Sequence, residues 1–241
     1  MARSALPPRT TWVLAVVVVL AGCAPSPSGG SIPVSPVAEW AGGLAGAAAG
    51  ERYGAGRAAL GDRLTARVDR RADAVARSVP VSARGSVRSL ADHLSAHAGP
   101  TMRGRTRAAF RFVADHVAYD VAAVRSGPRP SQHPRVVLGS GSAVCEGYAR
   151  LLVTLLDAMG LEVAYVTGWA DLVGPGGGGG HAWVAVRLAD GWYLMDPTWA
   201  AGGVNSGGRF VRRFDAAWWL VSPERMVRTH RPFDRRWRLG A

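Results

Sequence analysis

Three stretches of this chain hold residues able to do chemistry together. They are Val144-Cys145-Glu146-Gly147-Tyr148-Ala149-Arg150, Gly180-His181-Ala182-Trp183-Val184-Ala185-Val186 and Trp192-Tyr193-Leu194-Met195-Asp196-Pro197-Thr198-Trp199. A thiol, an imidazole and a carboxylate form the set that thiol-based acyl transfer uses. The thiolate attacks, the imidazole takes and returns the proton, and the carboxylate fixes the imidazole's tautomer. Cys145, His181 and Asp196 are the candidates for these roles. Each has a blander reading: a small buried hydrophobe for Cys145, a satisfied structural histidine for His181, and a turn former for Asp196. All three in one chain, in this order, are harder to explain that way.

The elements that must position them follow from spacing. Tyr148, Leu151, Leu152, Leu155 and Met159 recur as the apolar face of a helix that Gly160 stops, so Cys145 falls in its first turn. Unpaired N–H groups and the helix dipole there favour a thiolate and can hold an oxyanion, whereas the neighbouring Glu146 opposes a low thiol pKa. Alternation predicts strands over 161–168, 181–188 and 191–196. A two-residue Ala189-Asp190 turn would set Asp196 opposite Trp183 and diagonal to His181 on one face. A three-residue turn would separate them.

Upstream, Leu60, Leu64, Val68, Val75 and Val79 predict an amphipathic helix over 59–78, ended by Pro80. Val87, Leu90 and Leu94 mark a second helix, and Thr101 caps a third through Phe110, Val113 and Val117. Residues 121–141 hold three prolines with several Gly and Ser and read as loop, with Val136-Val137-Leu138 a short buried segment. Gln132 and His133 lie there, near the thiol in sequence. His93 and His97 have the spacing of zinc-binding helix histidines but no evident third ligand, so they read as solvated polar residues and no metal is expected. The Gly174–Gly180 run lacks the features of a phosphate cradle and is either an approach for substrate backbone or a low-complexity insertion.

The 241 residues suit one domain plus an export segment, and 48% hydrophobic content allows a full core. All 29 basic residues are Arg, giving a net charge of +12. The arginines are scattered without an aromatic-interleaved patch, which speaks against specific nucleic-acid binding. Arg3 and Arg9 precede the apolar run Trp12–Leu20, too short to span a bilayer but suited to a signal peptide over residues 1–22. It ends in Leu20-Ala21-Gly22-Cys23, which resembles the bacterial lipobox. That resemblance implies lipidation of Cys23 and a mature chain tethered to a membrane outside the cytoplasm; the other reading is an ordinary secretory signal. With Cys23 lipidated, Cys145 has no intramolecular disulfide partner. Residues 23–56, rich in Pro, Ser, Gly and Ala, read as a flexible tether, 57–100 as a helical segment and 101–241 as the main domain.

Cys-Glu-Gly-Tyr-Ala at 145–149, His-Ala-Trp at 181–183 and Asp-Pro-Thr-Trp at 196–199 resemble the three blocks of the transglutaminase-like superfamily. The match takes in Tyr119-Asp120 upstream. A tail of Trp219-Leu220, Ser222-Pro223-Glu224, His230-Arg231-Pro232, Asp234 and Trp237 is similar to its kyphoskoliosis-type peptidase branch. The resemblance implies an α+β fold with a papain-like core: a Cys-bearing helix packed on an antiparallel sheet, preceded by N-terminal helices. It implies Cys145, His181 and Asp196 as catalytic residues, Trp199 and Tyr148 as packing or substrate-pocket residues, a structural His230, and no cofactor. It also implies a protein or peptide substrate in the cell envelope, with hydrolysis ahead of transamidation. The family's second oxyanion donor has no evident counterpart. The alternatives are a catalytically silent binding or scaffold lipoprotein and a basic adhesin.

Overall fold

The computed structural model describes residues 61–126, 129–171 and 178–238. The proposed signal segment, Cys23 and the tether lie outside them, as does most of the glycine-rich run. Among the described residues, no helix is long and apolar enough to cross a membrane.

Helices come first. α1 (Gly61–Arg77) turns Ala72 and Ala76 into the core. α2 (Val87–His97) starts at a Ser86–Ser89 capping box, which satisfies two orphan N–H groups at its end. α3 (Met102–His116) starts where the Thr101 side chain accepts from the Gly104 N–H, as its sequence predicts. Arginine–aspartate pairs lace α1 to α3: Arg103 to Asp69 at 2.9 Å, and Arg107 and Arg111 both to Asp73. β1 (Ala118–Tyr119) then pairs in parallel with β2 (Ser142–Ala143).

Between β1 and β2 the chain departs from the expected loop: it forms α4 (Val121–Ser126) and α5 (Pro134–Ser140). The prolines suggested irregular structure, but Pro134 stands at a first helical position, where its missing N–H costs nothing and its fixed φ suits the helix. Asp120 starts α4 by accepting from the Ala123 N–H, and Gly141, at φ 64°, ends α5.

α6 (Cys145–Ala158) is the central helix, with Tyr148, Leu151, Leu152, Leu155 and Leu156 fully buried. It is followed by β3 (Val163–Ala170), β4 (Gly179–Leu188) and β5 (Gly191–Met195). A short α7 (Pro197–Ala201) leads into the hairpin β6 (Gly202–Val204) and β7 (Phe210–Arg212). α8 (Pro223–Met226) and β8 (His230–Pro232) close the described chain. The main sheet is antiparallel with order β5-β4-β3-β8, and α6 packs on β4 and β3. A Cys-bearing helix on an antiparallel sheet, preceded by helices, is the α+β arrangement anticipated from the sequence.

The two faces of the sheet serve different cores. Ala182, Val184, Val186 and Met195 join α6 and the N-terminal helices in one large cluster. Trp183, Ala185, Trp192 and Leu194 form a second with Val221, Met226 and Trp237. That alternation is the period-two consequence of the strand pleat. The large cluster runs without a break from Ala72 through Leu94 to Leu155, so the helices of the 57–100 segment share their core with the domain that follows.

Candidate active site

Cys145 opens α6, after Val144 in extended geometry. The Val144 N–H donates to Gln132 Oε1 at 3.0 Å, and Gln132 Nε2 donates to the Pro130 carbonyl at 2.8 Å. A side-chain amide from the loop ahead of α5 therefore pins the start of the cysteine helix. Gly147 makes this possible: a Cβ there would stand 2.5 Å from Gln132 Oε1 and 2.6 Å from Ala143 Cβ. The Cys-Glu-Gly pattern thus has a packing reason at its third position. The Cys145 thiol is fully buried. Glu146, which would oppose a thiolate, is drawn into an i,i+4 ion pair with Arg150 at 2.8 Å.

The β4–β5 pairing sets Val184 opposite Met195 and Leu188 opposite Gly191, which is the two-residue turn. Continued one step, that register would set Asp196 against Trp183, and the strand's alternation puts His181 on the face of Trp183. Asp196 then does two jobs at once. Its Oδ1 accepts from the N–H groups of Thr198 at 2.8 Å and Trp199 at 3.1 Å, capping α7. Its Oδ2 accepts from His181 Nε2 at 2.8 Å and from His230 Nε2 at 3.2 Å. Burial pushes the carboxyl pKa up, but the imidazoles of His181 and then His230 outweigh it and hold the group far below the usual carboxylate range.

With Nε2 of His181 committed to Asp196, the other ring nitrogen decides its chemistry. Nδ1 is buried and has no hydrogen-bond partner. A carboxylate only accepts, so Nε2 carries the proton and Nδ1 of the neutral ring presents a lone pair. That is the tautomer of a general base, and an orphaned buried acceptor costs about 1–3 kcal/mol unless something uses it.

His230 was expected to be structural. It is buried and reaches the same Asp196 oxygen as His181, with the Trp199 and Trp183 rings 4.6 and 4.9 Å away between centroids. Burial lowers its pKa below the ordinary histidine value, against the raising effect of Asp196. Gly168 lets β8 close on this side, since a Cβ there would meet the Arg231 carbonyl at 2.2 Å and the Trp183 ring at 2.5 Å. The sequence signal was His-Arg-Pro, an extended dipeptide before Pro, but nothing local tied it to a residue 34 positions away.

Ligand atoms of His181, Asp196 and His230 lie within 4.8 Å of one another, a composition able to hold a cation. The two nitrogen–oxygen distances are those of hydrogen bonds. His93 and His97 stack on each other at 4.3 Å, with no third ligand among the described residues.

Beside His181 opens a small pocket, lined by Tyr119, Thr198, Trp199, Val204 and Phe210. Trp199, expected at a pocket, lines it. Tyr148 does not: it is fully buried in α6 and donates to the Val117 carbonyl at 2.7 Å. That carbonyl also accepts from Arg212, which holds the phenol in the core. Thr198 Oγ1 is buried without a partner, a polar atom at the edge of an otherwise apolar lining.

A buried carboxylate–imidazole pair on an antiparallel sheet, beside a helix that starts with cysteine, defines a class. The family model of the transglutaminase-like superfamily matches residues 88–197. Among curated proteins it is similar to the kyphoscoliosis peptidases of Homo sapiens and Mus musculus, 29% identical to each over 142 residues, or 56% of this chain. The chain spans 22% of the length of those relatives. Among solved structures it is similar to the periplasmic domain of TgpA from Pseudomonas aeruginosa, at 24% identity and a TM-score of 0.37, covering 56% of this chain and 48% of that one. It is also similar to a TGase, at 22% identity and a TM-score of 0.38, covering 50% and 34%.

Proposed function

We propose that this chain is a thiol hydrolase or acyltransferase acting on peptide, isopeptide or glutaminyl amide bonds, anchored in a bacterial envelope through lipid on Cys23. The observation that carries the reading is His181: one nitrogen bound to a buried carboxylate, the other buried, basic and unused. The match to the transglutaminase-like superfamily over residues 88–197 supports the thiol class, and the peptidase names of the curated relatives favour water as acceptor.

In this mechanism His181 Nδ1 takes the Cys145 proton and the sulfur attacks the amide carbon. The oxyanion is met by N–H groups at the start of α6. The C–N bond then breaks, and His181 returns the proton to the departing amine. Water attacks the thioester and gives a proton to His181. The C–S bond breaks, an acid leaves, and the thiol is restored. Asp196 holds the His181 tautomer and offsets the charge of the imidazolium. The pocket beside His181 receives an uncharged side chain, because an unpaired charge would lose its hydration against an apolar wall.

A second reading, a catalytically silent scaffold, draws on one observation: the Cys145 thiol is fully buried. The two readings separate on alkylation by a peptidyl electrophile at pH 6–8. An enzyme labels at Cys145 when folded, and His181→Ala slows labelling by about a hundredfold or more. Labelling only on unfolding, or at an equal rate in the histidine variant, removes His181 and Cys145 from a common mechanism.

A further inference from the structure

One buried titratable group takes no step in the reaction as written. His230 sits on β8, distant in sequence from the other site residues, and its ring reaches the same carboxylate oxygen as His181. We infer that His230 is a positioning residue, the second donor that locks the Asp196 carboxylate in the orientation that keeps the His181 proton on Nε2. The inference rests on the thiol reading above.

The argument is a count of lone pairs. A carboxylate offers about four acceptor sites. Backbone N–H groups of Thr198 and Trp199 take two on Oδ1, and His181 takes one on Oδ2. His230 Nε2 takes the fourth, at 3.2 Å. The backbone contacts fix one oxygen but leave the carboxylate able to twist about that anchor. A second donor on Oδ2, from a different ring and a different strand, removes the twist.

The state of the His230 ring follows from its partners. Asp196 only accepts, so Nε2 donates. Nδ1 stands 2.8 Å from Thr229 Oγ1, and in a neutral ring it accepts from that hydroxyl. The charged and titratable groups acting on the ring are Asp196, His181 and, further off, Asp171. Trp183, Trp199 and Trp218 wall it in, with centroids 4.6–5.6 Å away, so no water reaches in to replace it. An ordinary packing residue in that cage would be aromatic or aliphatic. A histidine with both nitrogens bonded, one of them to the carboxylate, has a polar task.

The test uses the full chain with His230→Leu and His230→Gln, and Cys145→Ala as the blank. Removing the donor lowers kcat by about 10–100-fold with KM held within about twofold, the range for outer partners of a functional group. Gln, whose amide N–H reaches toward the carboxylate, recovers most of the loss. Equal damage in Gln and Leu, or a rise in KM alone, overturns the inference. Imidazole nitrogen NMR at neutral pH gives a readout that needs no turnover. His230 is neutral with its proton on Nε2, and His181 is a single Nε2–H tautomer in wild type and in His230→Gln but a tautomer mixture in His230→Leu. A His230 proton on Nδ1, or an undisturbed His181 in the Leu variant, overturns it whatever the assay shows. Turnover in Cys145→Ala equal to wild type would instead sink the thiol reading and leave the NMR result standing.

Discussion

Two regions of this molecule pair carboxylates with nitrogen cations or their precursors, and they do so to different ends. Between α1 and α3, Arg103 forks onto Asp69 and Arg107 onto Asp73, while Arg111 bridges Asp73 and Asp115. Arg107 and Arg111 also lie over the Phe214 ring, at 5.0 and 3.9 Å. Between β4, β5 and β8, one carboxylate holds two imidazoles. Arginine cannot release its proton in a protein, so the first region can only hold elements together. Histidine can, and its site leaves one basic nitrogen unspent. The same ionic vocabulary makes a brace where the donors are permanent and the proposed reactive centre where they are not.

The comparison breaks most sharply under matched removals. Asp196→Ala takes away the cap of α7 and the partner of both imidazoles, and turnover should fall by about 10⁴-fold, as loss of a triad carboxylate does elsewhere. Asp73→Ala takes away the partner of two arginines at the brace. It should cost about 2–3 kcal/mol of stability, because Arg107 is left buried without its carboxylate, while kcat of the folded fraction stays near wild type. Denaturant midpoints and kcat measured on both variants decide it. An Asp73 variant with a lost kcat would mean that the brace also shapes the site.

The regions differ again with pH. Burial lowers the pKa of His230, and burial lowers that of His116 despite its bond to the Leu138 carbonyl, to below the ordinary value of about 6.5. Between the folded and unfolded values the unfolded chain binds more protons. Stability therefore begins to fall as pH drops through about 6.5 and goes on falling until the folded values are reached. Asp196 acts in a lower window: its contribution is whole above about 4 and is lost only as pH falls through its depressed folded value. Thermal melts from pH 8 to 5 should show a falling Tm, with a shallower fall in His230→Gln. An unchanged slope in that variant would mean that His230 titrates alike in both states.

Much of the site was legible because strand parity is a counting rule. The count left two registers open, and the observed pairing of Leu188 with Gly191 is the two-residue turn that the shared site required. The cysteine helix was legible from its apolar period and from Gly160, at φ 74°. What was not legible came from long range. Gln132 reads as loop until the Val144 N–H is seen to need an acceptor 12 residues away, and only Gly147 hints at the close approach. His230 needed the β3–β8 pairing, a contact that no local pattern encodes. Tyr148 stayed open between packing and pocket because its aromatic ring fits either, and the deciding partner, the Val117 carbonyl, lies 31 residues upstream.

The mildest change sharpens the comparison from the other side. Arg88 and Asp92 form an i,i+4 pair on α2 at 3.2 Å, with side chains 73% and 59% exposed. The sequence distance and geometry resemble those of Arg111 and Asp115 in the brace, but water surrounds the pair. Solvent screening and the entropy of holding two long side chains reduce such pairs to about 0.3–0.5 kcal/mol. Arg88→Ala should therefore move the denaturant midpoint barely beyond error, and what it moves should vanish in about 1 M salt, where the screening length shrinks to about 3 Å. Arg111→Ala, made in parallel, should keep most of its larger effect in the same salt, because the Arg111 guanidinium lies against the Phe214 ring and the Arg111 and Asp73 side chains are each only 15% exposed. Equal salt sensitivity at the two positions would mean that the brace is a surface feature and that its strength does not come from burial.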